Sequence, residues 1–171
     1  MTDSYVVMRG DRPWTAAVWD RVRTFPGEWT DCVETYPHPD LTPRYIFVLN
    51  WSKRVPDDFV HRYPVINFHC TPLPYGRGGH PIQNMKLRGW THTVKTAHQM
   101  TPELDGGPIY LSWVGIPLQG DYETVLGRFV HPVSQLIEVL VHCEIRPTPQ
   151  DGEIVRFHRL NATDLARANT L

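Results

Sequence analysis

Short apolar runs separated by glycine, proline and acidic residues set the rhythm of this chain, and they predict alternating strands and helices. Residues 5–8 form a β-branched run that Gly10, Asp11 and Pro13 interrupt. Trp14, Val18, Trp19 and Val22 follow at helical spacing, so 14–22 is predicted to be a helix with an apolar stripe. A second strand is expected over 29–34, then a loop at TYPHPDLTPR, where three prolines fall in ten residues. Residues 45–49 are continuously apolar, as in a strand buried on both faces. Pro56-Asp57-Asp58 has the acidic first turn of a helix start, and 65–68 reads as the next strand.

Beyond it, a Gly-rich YGRGG loop precedes a helix predicted over 81–87. Residues 93–100 and 110–116 are strand-like. The longest helical signal comes last: Val125, Leu126, Phe129, Val130, Val133, Leu136, Ile137 and Leu140 share one face, with Pro132 expected to kink or divide the helix. Residues 150–159 suggest a turn and a short strand, and 161–171 are expected to fray. The alternation implies an α/β fold.

Composition narrows the class more than the chemistry. A length of 171 residues implies one domain, 1–171, with a core at roughly 44–141 and a tail over 142–171. The 41% hydrophobic and 20% charged content is that of a soluble globular protein. A net charge of −1 supplies no basic field for a nucleic acid partner. No apolar run is long enough to span a membrane, and the first residues lack a signal-peptide pattern, so a cytoplasmic location is expected. Cys32, Cys70 and Cys143 are odd in number and far apart, as reduced thiols are.

Asn67 and His69 are predicted to leave the C-terminal end of a strand, the end that faces the ligand crevice in an open α/β sheet. Asp105 sits in a Leu-Asp-Gly-Gly turn. An amide, an imidazole and a carboxylate at two loop ends suit acyl transfer, where an oxyanion is stabilised while protons move. Each alone is an ordinary turn former. His98 and His80 are weaker candidates, and Cys70 invites a nucleophile reading that direct amine attack does not need. Nine histidines and three cysteines show no CxxC and no HExxH, so no metal is expected. The YGRGG loop could hold an anion, but it lacks the ending of a nucleotide-binding P-loop.

The order of these residues carries a resemblance. Asn67-Phe68-His69-Cys70-Thr71-Pro72-Leu73-Pro74 resembles the Asn-x-His-x-Ser/Thr-x-Leu-Pro motif of formyltetrahydrofolate-dependent formyltransferases. Glu103-Leu104-Asp105-Gly106-Gly107-Pro108-Ile109 is similar to that family's Asp-x-Gly-x-Ile element. The resemblance implies a Rossmann-like formyltransferase fold, here with a shortened N-terminal half. It implies 10-formyltetrahydrofolate as co-substrate and no metal. Asn67, His69 and Asp105 would be catalytic, with Asn67 and a protonated His69 on the oxyanion and Asp105 polarising His69.

By the same resemblance the folate would lie against Trp51, Ser52, Arg54 and Val55 and against Met100, Thr101, Glu103 and Leu104. Tyr75, Arg77, Gly78 and Gly79 would approach the acceptor. The chain is most similar to small formyltransferases of amino-sugar nucleotides. The expected acceptor is therefore the primary amine of a 4-amino-4,6-dideoxy sugar nucleotide, with Arg77, Arg156, His158 and Arg159 available to a diphosphate. Glycinamide ribonucleotide, an amino acid, a carrier-bound amine, or a catalytically idle folate-binding regulator remain open. The helical segment at 121–143 could serve a homodimer or the core.

Overall fold

The computed structural model describes residues 2–171. Its centre is a six-stranded sheet in the order β2-β1-β3-β4-β6-β7. Strands β1 (Ser4–Arg9), β2 (Glu28–Val33), β3 (Tyr45–Leu49) and β4 (Val65–His69) run parallel. β6 (His92–Gln99) and β7 (Ile109–Pro117) complete the sheet antiparallel to β4 and to each other. The strands occupy the predicted apolar runs to within two residues at either end.

Alternation along each strand divides the core in two. Tyr5, Val7, Phe47, Leu49, Ile66 and Phe68 enter one cluster, and Val6, Met8, Ile46, Val48 and Val65 the other. Helix α1 (Pro13–Val22), with proline at its first turn, buries Trp14, Val18 and Val22 in the first cluster. Helix α2 (Asp57–Arg62) covers the second with Val60. This two-sided winding is the α/β Rossmann-like arrangement expected.

Two details differ from the sequence expectation, and the division of the long helix follows it. The YGRGG segment is not a loop: Tyr75–Gly78 form β5, which pairs parallel with β8 (Val155–Phe157) in a separate two-stranded sheet. Gly78 makes this possible, because its φ of 111° and its approach to the Phe157 carbonyl both exclude a side chain. The long helix is divided into α4 (Tyr122–Arg128) and α5 (Val130–His142) at Phe129. Pro132 has no N–H for the Arg128 carbonyl, and its ring would clash with that oxygen, so the helix restarts just before it. The C-terminal segment is not frayed: Asn161 caps α6 (Ala162–Asn169) by accepting from the Asp164 N–H, and Ala168 is fully buried. Helix α6 packs on α3 (Pro81–Leu87), an anchorage the polar composition concealed. Among the described residues, no helix is long and apolar enough to cross a membrane.

Candidate active site

β4 and β6 build the centre of the site through register. Asn67 stands opposite His98, and His69 opposite Thr96, while Phe68 pairs with Ala97. Asn67, His69 and His98 therefore leave the same sheet face, and Phe68 and Ala97 go to the other. Asp105 arrives from the loop after β6, in a left-handed conformation (φ 51°) that an aspartate tolerates better than most residues.

The four side chains converge. Asp105 Oδ1 lies 3.7 Å from both His69 Nδ1 and His98 Nε2. Its other oxygen accepts the Gly78 N–H at 2.9 Å. His69 Nε2 faces the Gly76 carbonyl at 2.8 Å, and a carbonyl only accepts, so Nε2 carries hydrogen there. His98 Nδ1 likewise donates to the Gln99 carbonyl at 3.0 Å, which leaves Nε2 of the neutral ring to accept from the Asn67 amide at 3.3 Å.

Burial governs the charge states. Desolvation pushes the His69 pKa down, with Asp105 and the Gly76 carbonyl opposing it. Desolvation also lowers His98, to about 4, again against the pull of Asp105. Both rings are thus neutral at rest in neutral solution. The resting ring thus differs from the protonated His69 that the resemblance implied, and a proton at Nδ1 would face the Asp105 carboxylate. Burial raises the Cys70 thiol, which holds it in the unreactive protonated form.

A cavity of about 660 Å³ opens over these groups at the C-terminal ends of β3 and β4. Its wall includes Asn67, His69, His98 and Asp105, all eight residues expected to meet folate, and Gly78 and Gly79. Tyr75 and Arg77 are directed elsewhere. Tyr75 stacks on Trp90 and meets Phe157 edge-on. Arg77 is 4% exposed, and its guanidinium is occupied: Nε and Nη2 donate to Gln150 Oε1 at 3.0 and 2.8 Å, and Nη1 to Glu103 at 2.6 Å. Gln150 in turn donates to the carbonyls of Asp105 and Gly107, each at 2.8 Å. Arg77 thus braces the Asp105 loop from behind.

Of the tail cations, Arg159 lines the cavity, whereas Arg156 pairs with Glu103 at 3.2 Å. Sequence reasoning did not find Gln150, Lys95, Asn50 or Trp14. Gln150 and Lys95 carry no motif, and only their place in the fold brings them to the site. Among the described residues, no cluster of three or more His, Cys, Asp or Glu side chains could hold a metal.

An open α/β sheet thus brings an amide, two imidazoles and a buried carboxylate together around one cavity. Residues 19–137 match the formyl transferase family, and the chain belongs to that family. It is 34% identical over 129 residues to methionyl-tRNA formyltransferase of Francisella tularensis subsp. tularensis, a match covering 70% of this chain and 40% of that one. The chain thus spans about 40% of the length of the curated relatives it matches. The fold is shared with methionyl-tRNA formyltransferase from Clostridium thermocellum (TM-score 0.78, 23% identity, covering 92% of this chain and 73% of the other). It is also shared with the formyltransferase PseJ from Anoxybacillus kamchatkensis, solved in complex with UDP-4,6-dideoxy-4-formamido-L-AltNAc and tetrahydrofolate (TM-score 0.70, 20% identity, covering 90% and 85%).

Proposed function

We propose that this protein transfers the formyl group of 10-formyltetrahydrofolate to a primary amine, and that the amine belongs to an amino-sugar nucleotide. The observation that carries the transfer is the convergence of Asn67, His69 and Asp105 on one cavity wall, in the order of the family motif. The acceptor nitrogen attacks the formyl carbon and forms a tetrahedral oxyanion. Asn67 donates its second amide hydrogen to that oxygen, the first being held by His98. The nitrogen loses a proton to His69, whose cation is stabilised by Asp105. Collapse of the intermediate breaks the bond to folate N10, which takes up a proton as tetrahydrofolate leaves.

The amino-sugar reading draws on the acceptor in PseJ and on Arg159 in the cavity wall. A second reading, a methionyl-type aminoacyl acceptor, is favoured by the sequence identity to methionyl-tRNA formyltransferase. Mass spectrometry separates them: the protein is incubated with 10-formyltetrahydrofolate and either 4-amino-4,6-dideoxy sugar nucleotides or methionyl-tRNA. Gain of one formyl group on the sugar nucleotide is expected. Formylation of methionyl-tRNA alone overturns the acceptor assignment, and no transfer to any amine despite tetrahydrofolate binding overturns the enzymatic reading.

A further inference from the structure

The cavity continues around the end of β4 onto the opposite face of the sheet. Phe68, Cys70 and Lys95 line it there, together with Trp14, Tyr122 and Phe129. Lys95 is the anomaly in this otherwise apolar and aromatic wall. It is 5% exposed, and its ammonium donates to the Phe68 carbonyl at 3.0 Å, with the Phe129 ring centroid 4.0 Å away and that of Trp14 5.5 Å away.

One carbonyl and two ring faces leave hydrogens of the ammonium without an oxygen partner. Among the described residues no carboxylate pairs with it. Of the acidic groups in the cavity wall, Glu103 and Asp105 lie on the loop beyond β6 and Asp57 on α2, at the folate-side lobe. Desolvation accordingly lowers the Lys95 pKa, with only Cys70 opposing it. Trp14 adds a second unmet donor, because its buried indole N–H has no acceptor among the described residues.

A buried cation without a counter-ion is costly to the fold, and an apolar side chain of similar length would pack there more favourably. An anionic oxygen arriving from the cavity would supply the ammonium with the oxygen partner it lacks. The position also bears on the chemistry, since the charge of Lys95 is near enough to His69 to oppose protonation of its ring. The lobe at 50–57 and 100–104 is the one assigned above to folate, which leaves this lobe to the other substrate.

We propose that Lys95 and Trp14 form an anion subsite that holds a carboxylate or phosphate group of the amine acceptor. This inference rests on the formyl-transfer reading for the word acceptor, but not for the binding itself. The test is calorimetric titration of the protein, free and with tetrahydrofolate bound, with acetate as the carboxylate probe and UDP as the phosphate probe. The Trp14 indole N–H resonance, assigned through Trp14→Phe, locates the binding.

Saturable binding of at least one probe is expected, with a shift of the Trp14 resonance and an affinity lowered about tenfold or more in Lys95→Met. Lys95→Arg, which keeps the cation, should retain binding and covers the case in which the methionine variant does not fold. The proposal is overturned by a Trp14 resonance unmoved by either anion, or by equal anion affinity in folded Lys95→Met. Which probe binds identifies the source of the charge. Tetrahydrofolate affinity, measured in parallel, reports separately on the formyl-transfer reading.

Discussion

The amide of Asn67 and the ring of His98 meet at 3.3 Å across the β4–β6 ladder, and that contact fixes which way the amide points. With His98 Nδ1 committed to the Gln99 carbonyl, Nε2 can only accept, so the Asn67 nitrogen turns inward and presents its remaining hydrogen to the cavity. His98→Phe should leave Asn67 free to rotate. The loss expected in kcat is about tenfold or more, roughly the energy of one hydrogen bond, with tetrahydrofolate affinity unchanged. His98→Gln keeps an acceptor and should recover much of the rate. Equal kcat in both variants and the wild type would remove the positioning role.

Asn67→Ala and His69→Ala should each lower kcat by about a hundred- to thousandfold, the usual effect of losing an oxyanion donor or a general base. Thermal denaturation distinguishes this from misfolding, since Asn67→Ala deletes only one weak, half-buried contact. A variant that keeps its melting temperature and its rate contradicts the assignment.

Stability should fall with acid in a defined window. The unfolded chain protonates His98 near 6.5, whereas the folded protein holds it near 4, so the unfolded state binds more protons between these values. The stabilising difference is full above 6.5 and is lost as pH falls toward 4, to a total on the order of 3 kcal/mol. His69, shifted in the same direction, adds to the slope. Urea midpoints from pH 7.5 to 4.5 measure it, and His98→Gln should flatten the curve. An unchanged slope in that variant would place the acid sensitivity elsewhere.

Arg77→Met tests the brace behind Asp105. It strands the Gln150 carbonyl oxygen and should cost about 1–3 kcal/mol of stability, with solvent screening limiting the contribution from half-exposed Glu103. Amide exchange across 103–107 should quicken, and kcat should fall more than acceptor KM rises. A change confined to acceptor KM would instead give Arg77 the direct substrate contact that the resemblance suggested.

Period and spacing made most of this fold legible, because strands buried on both faces leave continuous apolar runs in the sequence. Asn67, His69 and Asp105 could be found for a second reason: they stand in a motif whose order survives without any knowledge of the fold. The misses share a physical origin. Glycines at 76, 78 and 79 signal a loop by composition, yet two of them are required by a strand that presses against Phe157. Helix α6 has few apolar residues and is held by a cap and one buried alanine. Lys95 and Gln150 act through tertiary neighbours, and no local pattern marks such residues.

The pairing of β5 with β8 moves the boundary of the working site. The family match ends at residue 137, but Gly78, which holds the Asp105 carboxylate, is itself held in register with Phe157, and Gln150 clasps the loop that carries Asp105. A polypeptide cut at 137 would keep every motif residue and lose the scaffold that aims the carboxylate. The recognisable signature and the length of chain that holds Asp105 in place are therefore different.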